Sequence, residues 1–187
     1  MYKYIAAIII CMVSARCLQA QRLIKGQKGF EIGAGLISDR KPIHDYFYLR
    51  AAMTINGKNG RYQFWGIEYT YKKHQFAGFN IPVETYSVEG GYSFRLLGDW
   101  SKNISLNLGL SGVAGYEVIN EGESLLSNGA VIQNKDSFIY GGDLRLSVEA
   151  YLSDHIVMLI DGRSKVIWGT SVEGLRPSAG LGFRYIF

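Results

Sequence analysis

From Lys28 to the end of the chain, apolar residues alternate with small or polar ones at a period of two, in eight runs. That period is the signature of a β-strand with one apolar face. The first run, 28–37, sets Phe30, Ile32, Ala34 and Leu36 against Glu31, Gly33 and Gly35. In 46–55, Phe47, Leu49, Ala51, Met53 and Ile55 alternate with Tyr48, Arg50, Ala52 and Thr54. Runs 62–72, 83–96, 104–118 and 138–152 follow the same rule. Run 155–169 is less regular: Asp161, Arg163 and Lys165 share a face with Val157, Leu159 and Ile167. The last run, "SAGLGFRYIF" (178–187), sets Ala179, Leu181, Phe183, Tyr185 and Phe187 against Ser178, Gly180, Gly182, Arg184 and Ile186. These runs reach about 10 to 15 residues, where soluble sheets use about five or six. No helical period appears after Gln21.

The two faces identify the solvent. One is aliphatic and aromatic. The other is Gly, Ser, Thr and Asn, punctuated by Glu31, Arg50, Glu68, Glu89, Arg95, Asp143, Arg145, Glu149, Asp161, Arg163 and Arg184. Small residues and charges of both signs suit the narrow interior of a membrane barrel, where opposite charges neutralise each other. A soluble lipocalin-like barrel would have to pack several aromatics per strand inward and turn a mostly Gly/Ser face to water. The connections also alternate. Those at 38–45, 73–82, 119–137 and 170–175 are the longer set. Those at 56–61, 97–103 and 153–154 carry turn chemistry such as "NGKNG". Short turns at one end and long loops at the other are the habit of outer-membrane barrels. The expected fold is therefore all-β: an eight-stranded antiparallel up-and-down transmembrane β-barrel of outer-membrane type. Tyr46, Phe47, Tyr48, Trp65, Tyr69, Tyr71, Trp168, Tyr185 and Phe187 are the expected interfacial girdle.

Residues 1–20 are set apart. Lys3, the apolar stretch Ile5–Val13 and Ala20 before Gln21 read as a signal peptide, its core too short to span a membrane. Cleavage after Ala15 is the alternative. The expected division is a signal peptide, 1–20, and a barrel domain, 21–187. Cleavage after Ala20 removes Cys11 and Cys17, so the mature chain holds no disulfide and no thiolate metal site. It also removes Lys3 and Arg16, leaving 18 basic against 16 acidic residues. That balance gives nucleic acid nothing to bind strongly, and "RLIKGQKG" and "YKKHQ" are too short and too far apart to form a basic surface.

Motifs of chemistry are missing. His44, His74 and His155 are the three histidines, with no metal-ligand spacing among them. His44 and His74 fall in two long loops and His155 at the opposite end. Gly90–Gly91 and Gly141–Gly142 precede no helix and make no phosphate loop. The chain is expected to have no catalytic, cofactor or metal residue. Glu31, Arg50, Glu68, Glu89, Arg95, Asp143, Arg145, Glu149 and Arg184 are the expected lumen charge network, a salt-bridged plug.

Several stretches together closely resemble the conjugative-transposon TraO family of Bacteroidetes. They are "QRLIKGQKGFEIGAG", "IPVETYSVEGGYSFRLL", "LGLSGVAGYEVIN", "GAVIQNKDSFIYGG" and "YLSDHIVMLIDGRSKVIWGTS". The resemblance implies a non-enzymatic outer-membrane component of a conjugative DNA transfer apparatus, with other apparatus proteins and membrane lipid as partners and no direct contact with nucleic acid. The alternative is a generic small barrel acting as a minor pore or a loop-mediated adhesion protein. Phe183, Tyr185 and Phe187 resemble the C-terminal signal read by barrel assembly machinery.

Overall fold

The computed structural model describes residues 24–37, 46–76, 79–98, 103–120 and 136–187. The segment read as a signal peptide, His44 and most of the 120–137 loop lie outside them. Eight strands follow in order: β1 Lys28–Ile37, β2 Tyr46–Asn56, β3 Tyr62–Phe76, β4 Phe79–Gly98, β5 Ile104–Ile119, β6 Ser137–Tyr151, β7 Ile156–Trp168 and β8 Leu175–Ile186. Each pairs antiparallel with its neighbour, and β1 pairs with β8, closing the barrel. Within the ring, closure leaves no sheet edge, so backbone N–H and C=O groups are satisfied without water, as hydrocarbon demands.

The alternation sorts the side chains as the sequence implied. On β8, Leu181, Phe183 and Tyr185 are 60%, 52% and 54% exposed, while Arg184 between them is 1% exposed. Across the seam the register sets Glu31 opposite Arg184 and Ile32 opposite Phe183, keeping both faces in phase. The irregular pattern of β7 has a direct cause. Val157, Leu159 and Ile167 point into the lumen with Asp161, Arg163 and Lys165, and all six are buried. Phe64 and Ile139 are buried as well, so the interior is packed with apolar groups around its charges.

Three expectations change. The loop expected at 73–82 is mostly strand: β3 and β4 continue as a hairpin in which Lys73 faces Pro82, His74 faces Ile81 and Phe76 faces Phe79. Beyond the hydrocarbon both faces of a ribbon meet water, so apolar alternation stops while backbone pairing continues. Pro82 is tolerated because β4 pairs with β5 only from Val83 onward, leaving that stretch with a free edge. The last strand begins at Leu175, three residues earlier than its alternation suggested. Finally, Tyr46 and Tyr48 are not girdle residues. They are 2% and 3% exposed and point inward, and Gly35 and Gly180 leave the room that the Tyr48 ring occupies.

The girdle at the loop end is built instead from neighbouring strands. Phe47 stacks on Tyr71 (5.6 Å), Tyr69 meets Tyr86 (5.2 Å) and Tyr140 stacks on Trp168 (6.1 Å). Glu84, an outward carboxylate at this level, accepts the hydroxyls of Tyr69 (3.0 Å) and Tyr86 (2.9 Å). Rings turned to the chains with hydroxyls turned to a polar group are the amphipathic habit of interfacial tyrosine.

A lipid-facing exterior makes a direct prediction. The mature chain should fractionate with outer membranes, resist alkaline extraction and migrate differently on a denaturing gel before and after boiling. Recovery in a soluble fraction would contradict this fold's placement.

Candidate functional site: a charged plug across the bore

The lumen charges form one connected lattice. Five cations, Arg50, Arg145, Arg163, Lys165 and Arg184, meet six carboxylates, Glu31, Glu68, Glu89, Asp143, Glu149 and Asp161. Arg163 is the hub. Its guanidinium donates to Glu68 (2.5 Å), Glu89 (2.6 Å) and Asp143 (2.7 Å). Lys165 adds a second cation to Glu68 at 2.5 Å. Arg50 links Glu89 to Glu31. Glu31 also accepts from Arg145 (2.8 Å) and from Arg184 (2.7 Å). Toward the termini, Arg184 reaches Glu149 at 3.0 Å, Tyr62 donates to Glu149 at 2.6 Å, and the Arg184 guanidinium lies 4.2 Å over the Tyr62 ring.

Several of these bonds run across the bore rather than around the wall. Arg163 and Lys165 are on β7 and Glu68 is on β3, opposite staves of the ring. Arg145 and Arg163 are direct register partners, a like-charge pair that would be unfavourable alone. The lattice resolves it by sending Arg145 to Glu31 and Asp161, and Arg163 to β3, β4 and β6. A guanidinium suits this work because its planar fork can hold several carboxylates at fixed angles.

A second cluster closes the loop end. Arg176 on β8 reaches Glu117 (2.5 Å) on β5 and Thr85 (3.2 Å) on β4, and Thr170 donates to Glu117 (2.9 Å). Above it Lys72 pairs with Glu173 at 2.6 Å. Between this cluster and the main lattice lies a void of about 20 Å³, beside Tyr48, Glu68, Thr85 and Arg176. That is room for about one water.

Of the expected network, the structure brings together Glu31, Arg50, Glu68, Glu89, Asp143, Arg145, Glu149 and Arg184. Arg95 does not join them. It sits at the turn end beside Gly60 and Gly98, where a bulge between Arg95 and Leu97 breaks the alternation. Arg176, Glu117 and Tyr62 were not singled out in sequence, and Tyr48 was expected in the girdle rather than the lumen. Glu117 continues the inward parity of Ser105 and Asn107 on β5, and that signal was available. His155 stacks on Tyr185, and its Nδ1 lies 2.8 Å from the Ile186 carbonyl oxygen. His74 lies in the β3–β4 hairpin. No cluster of three metal-ligating side chains occurs among the described residues. Phe183, Tyr185 and Phe187 all face outward.

The closed eight-stranded ring, polar and filled inside and apolar outside, defines an outer-membrane-type β-barrel. Solved structures agree on the fold. Ail, the attachment invasion locus protein of Yersinia pestis, matches with a TM-score of 0.56 at 14% identity, covering 88% of this chain and 100% of that one. Neisserial surface protein A matches with a TM-score of 0.56 at 14% identity, covering 87% and 98%. A major outer membrane protein from Thermus thermophilus gives 0.53 at 10% identity, covering 86% and 98%. No curated protein matches the sequence. The family model described as conjugative transposon protein TraO matches residues 24–187, and the chain belongs to that family.

Removing the hub should be costly, because three carboxylates would share too few cations. Arg163→Ala is expected to lower the free energy of unfolding by about 3–5 kcal/mol, read as a shifted urea midpoint in lipid vesicles. Adding Glu68→Gln should recover part of that loss, since the two positions are coupled. An unchanged midpoint for Arg163→Ala would remove the lattice from the stability of the barrel.

Proposed function

We propose that this chain is a non-enzymatic outer-membrane component of a conjugative DNA transfer apparatus, acting as an anchored scaffold for other apparatus proteins. The observation that carries the reading is the filled bore, taken together with membership of the TraO family. Ion pairs that cross the lumen from β7 to β3 obstruct the bore, which supports a role on the outside of the barrel over one as a passage. What remains to act is the outside: the loops at one end, the turns and termini at the other, and the belt between them. The even strand count puts both ends of the barrel domain on the side of the short turns. On the outer-membrane reading that side is periplasmic, the loops face outward, and the chain crosses the inner membrane by way of its signal peptide. The contact with transferred DNA is then indirect, through the proteins the scaffold holds.

Deletion of the gene from a conjugative element should reduce mating frequency, and the wild-type chain supplied in trans should restore it. Normal mating without the gene would sink the transfer role. In planar bilayers the purified barrel should pass no steady current; a steady conductance would favour a pore instead.

We also assign the outward C-terminal aromatics Phe183, Tyr185 and Phe187 to recognition by barrel assembly machinery. Phe187 is tied into the wall through its N–H, which donates to the Lys28 carbonyl oxygen at 3.0 Å. Phe187→Asp, or deletion of Phe187, should reduce the heat-modifiable form in the membrane more than any loop substitution does. Undiminished assembly of both variants would remove the assignment.

A further inference from the structure

The cations of this barrel fall into two populations. Those in the lumen are ion-paired. At the turn end, Lys58 and Arg61 make no ion pair among the described residues. Both are exposed, and the β2–β3 turn fixes them close together. Asn59 and Gly60 take positive φ (60° and 72°), and the Arg61 N–H donates to the Lys58 carbonyl oxygen across them at 3.2 Å. Such a tight turn needs Asn-Gly at its centre. It also sets two exposed basic residues at its shoulders, where one anion can meet both.

The surroundings of the pair are not those of an ordinary solvated turn. Lys58 and Arg61 line one end of an open groove of about 660 Å³ whose other wall is Ile55, Tyr92 and Phe94. Ile55 and Tyr92 are 40% and 54% exposed on the lipid-facing side, and the same face continues into Met53 and Trp65. The Arg61 guanidinium lies 5.6 Å over the Phe94 ring. A groove that is cationic at the membrane boundary and apolar toward the hydrocarbon matches one molecule in both parts.

We propose that this groove binds an anionic phospholipid, its phosphate between Lys58 and Arg61 and an acyl chain along Ile55, Tyr92 and Phe94. An acidic peptide would match the cations but not the lipid-facing wall. The site is independent of the transfer role and requires only that the barrel lie in a membrane.

The test is native mass spectrometry of the folded, detergent-extracted barrel titrated with phosphatidylglycerol. One tightly held phosphatidylglycerol per chain is expected, with phosphatidylcholine held more weakly. Each basic residue near an anionic lipid surface is worth about 1 kcal/mol. Lys58→Gln/Arg61→Gln should therefore weaken binding about 30-fold, with the heat-modifiable band confirming the fold. If the pair does not fold, Lys58→Gln alone carries the test, at about fivefold. Tyr92→Ala/Phe94→Ala should weaken the full lipid but not glycerophosphate. Equal retention by the wild-type and Gln variants would overturn the proposal. So would glycerophosphate or inorganic phosphate binding as tightly as the lipid, which would assign the cations to a free anion.

Discussion

Closure of β1 on β8 is the constraint from which the rest follows. In hydrocarbon an unpaired strand edge costs several kcal/mol per polar group. Eight strands must therefore return on themselves, and the Glu31–Arg184 register marks the seam. A ring of eight is narrow, so its interior must be filled. Filling it with apolar side chains alone would give a chain with no hydrophilic face and a strong tendency to aggregate before insertion. Filling it with charges demands that each charge find a partner, because the bore excludes the water that would otherwise solvate it. The lattice around Arg163 and Glu31 answers that demand, and Phe64, Ile139, Val157 and Leu159 are buried in the same lumen.

The lattice also explains why the wall tolerates an Arg145–Arg163 register pair. Sheet rules alone would call this a defect. In a closed ring a side chain has access to staves far away in sequence, so each guanidinium is compensated across the bore as well as along its own ladder. Stability of the wall and neutrality of the lumen are thereby coupled. A change at β7 is felt at β3 through Glu68, with no backbone element between them.

Much of this was legible in the sequence, and the reason is the period of two. It assigns a face to each residue without knowledge of any contact, so Glu31, Arg50, Glu68 and Arg184 were placeable in the lumen from parity alone. Parity says nothing about height along the bore or about which stave lies opposite. Hence the Arg163–Glu68 and Arg176–Glu117 bonds had no sequence signal. Parity is also a poorer guide where the membrane ends. Arg95 keeps inward parity opposite Asn107 but lies at the turn end, just before the bulge and apart from the lattice, and the β3–β4 ribbon keeps its pairing after losing its alternation, so one was expected in the network and the other in a loop. Tyr46 and Tyr48 were misread for a different reason. Aromatics near strand ends suggest a girdle, but their own parity with Arg50 already placed them inside.

The side chains that fill the lumen turn attention to the surface, and the surface is asymmetric. The loop end carries tyrosines around Glu84, with Lys72 and Arg176 taken up by Glu173 and Glu117. At the turn end Lys58 and Arg61 stand without such partners among the described residues. Charge that is paired internally contributes to the fold, whereas charge held apart by a rigid turn is available to something outside the chain. On that argument the turn end is where the barrel engages its surroundings electrostatically.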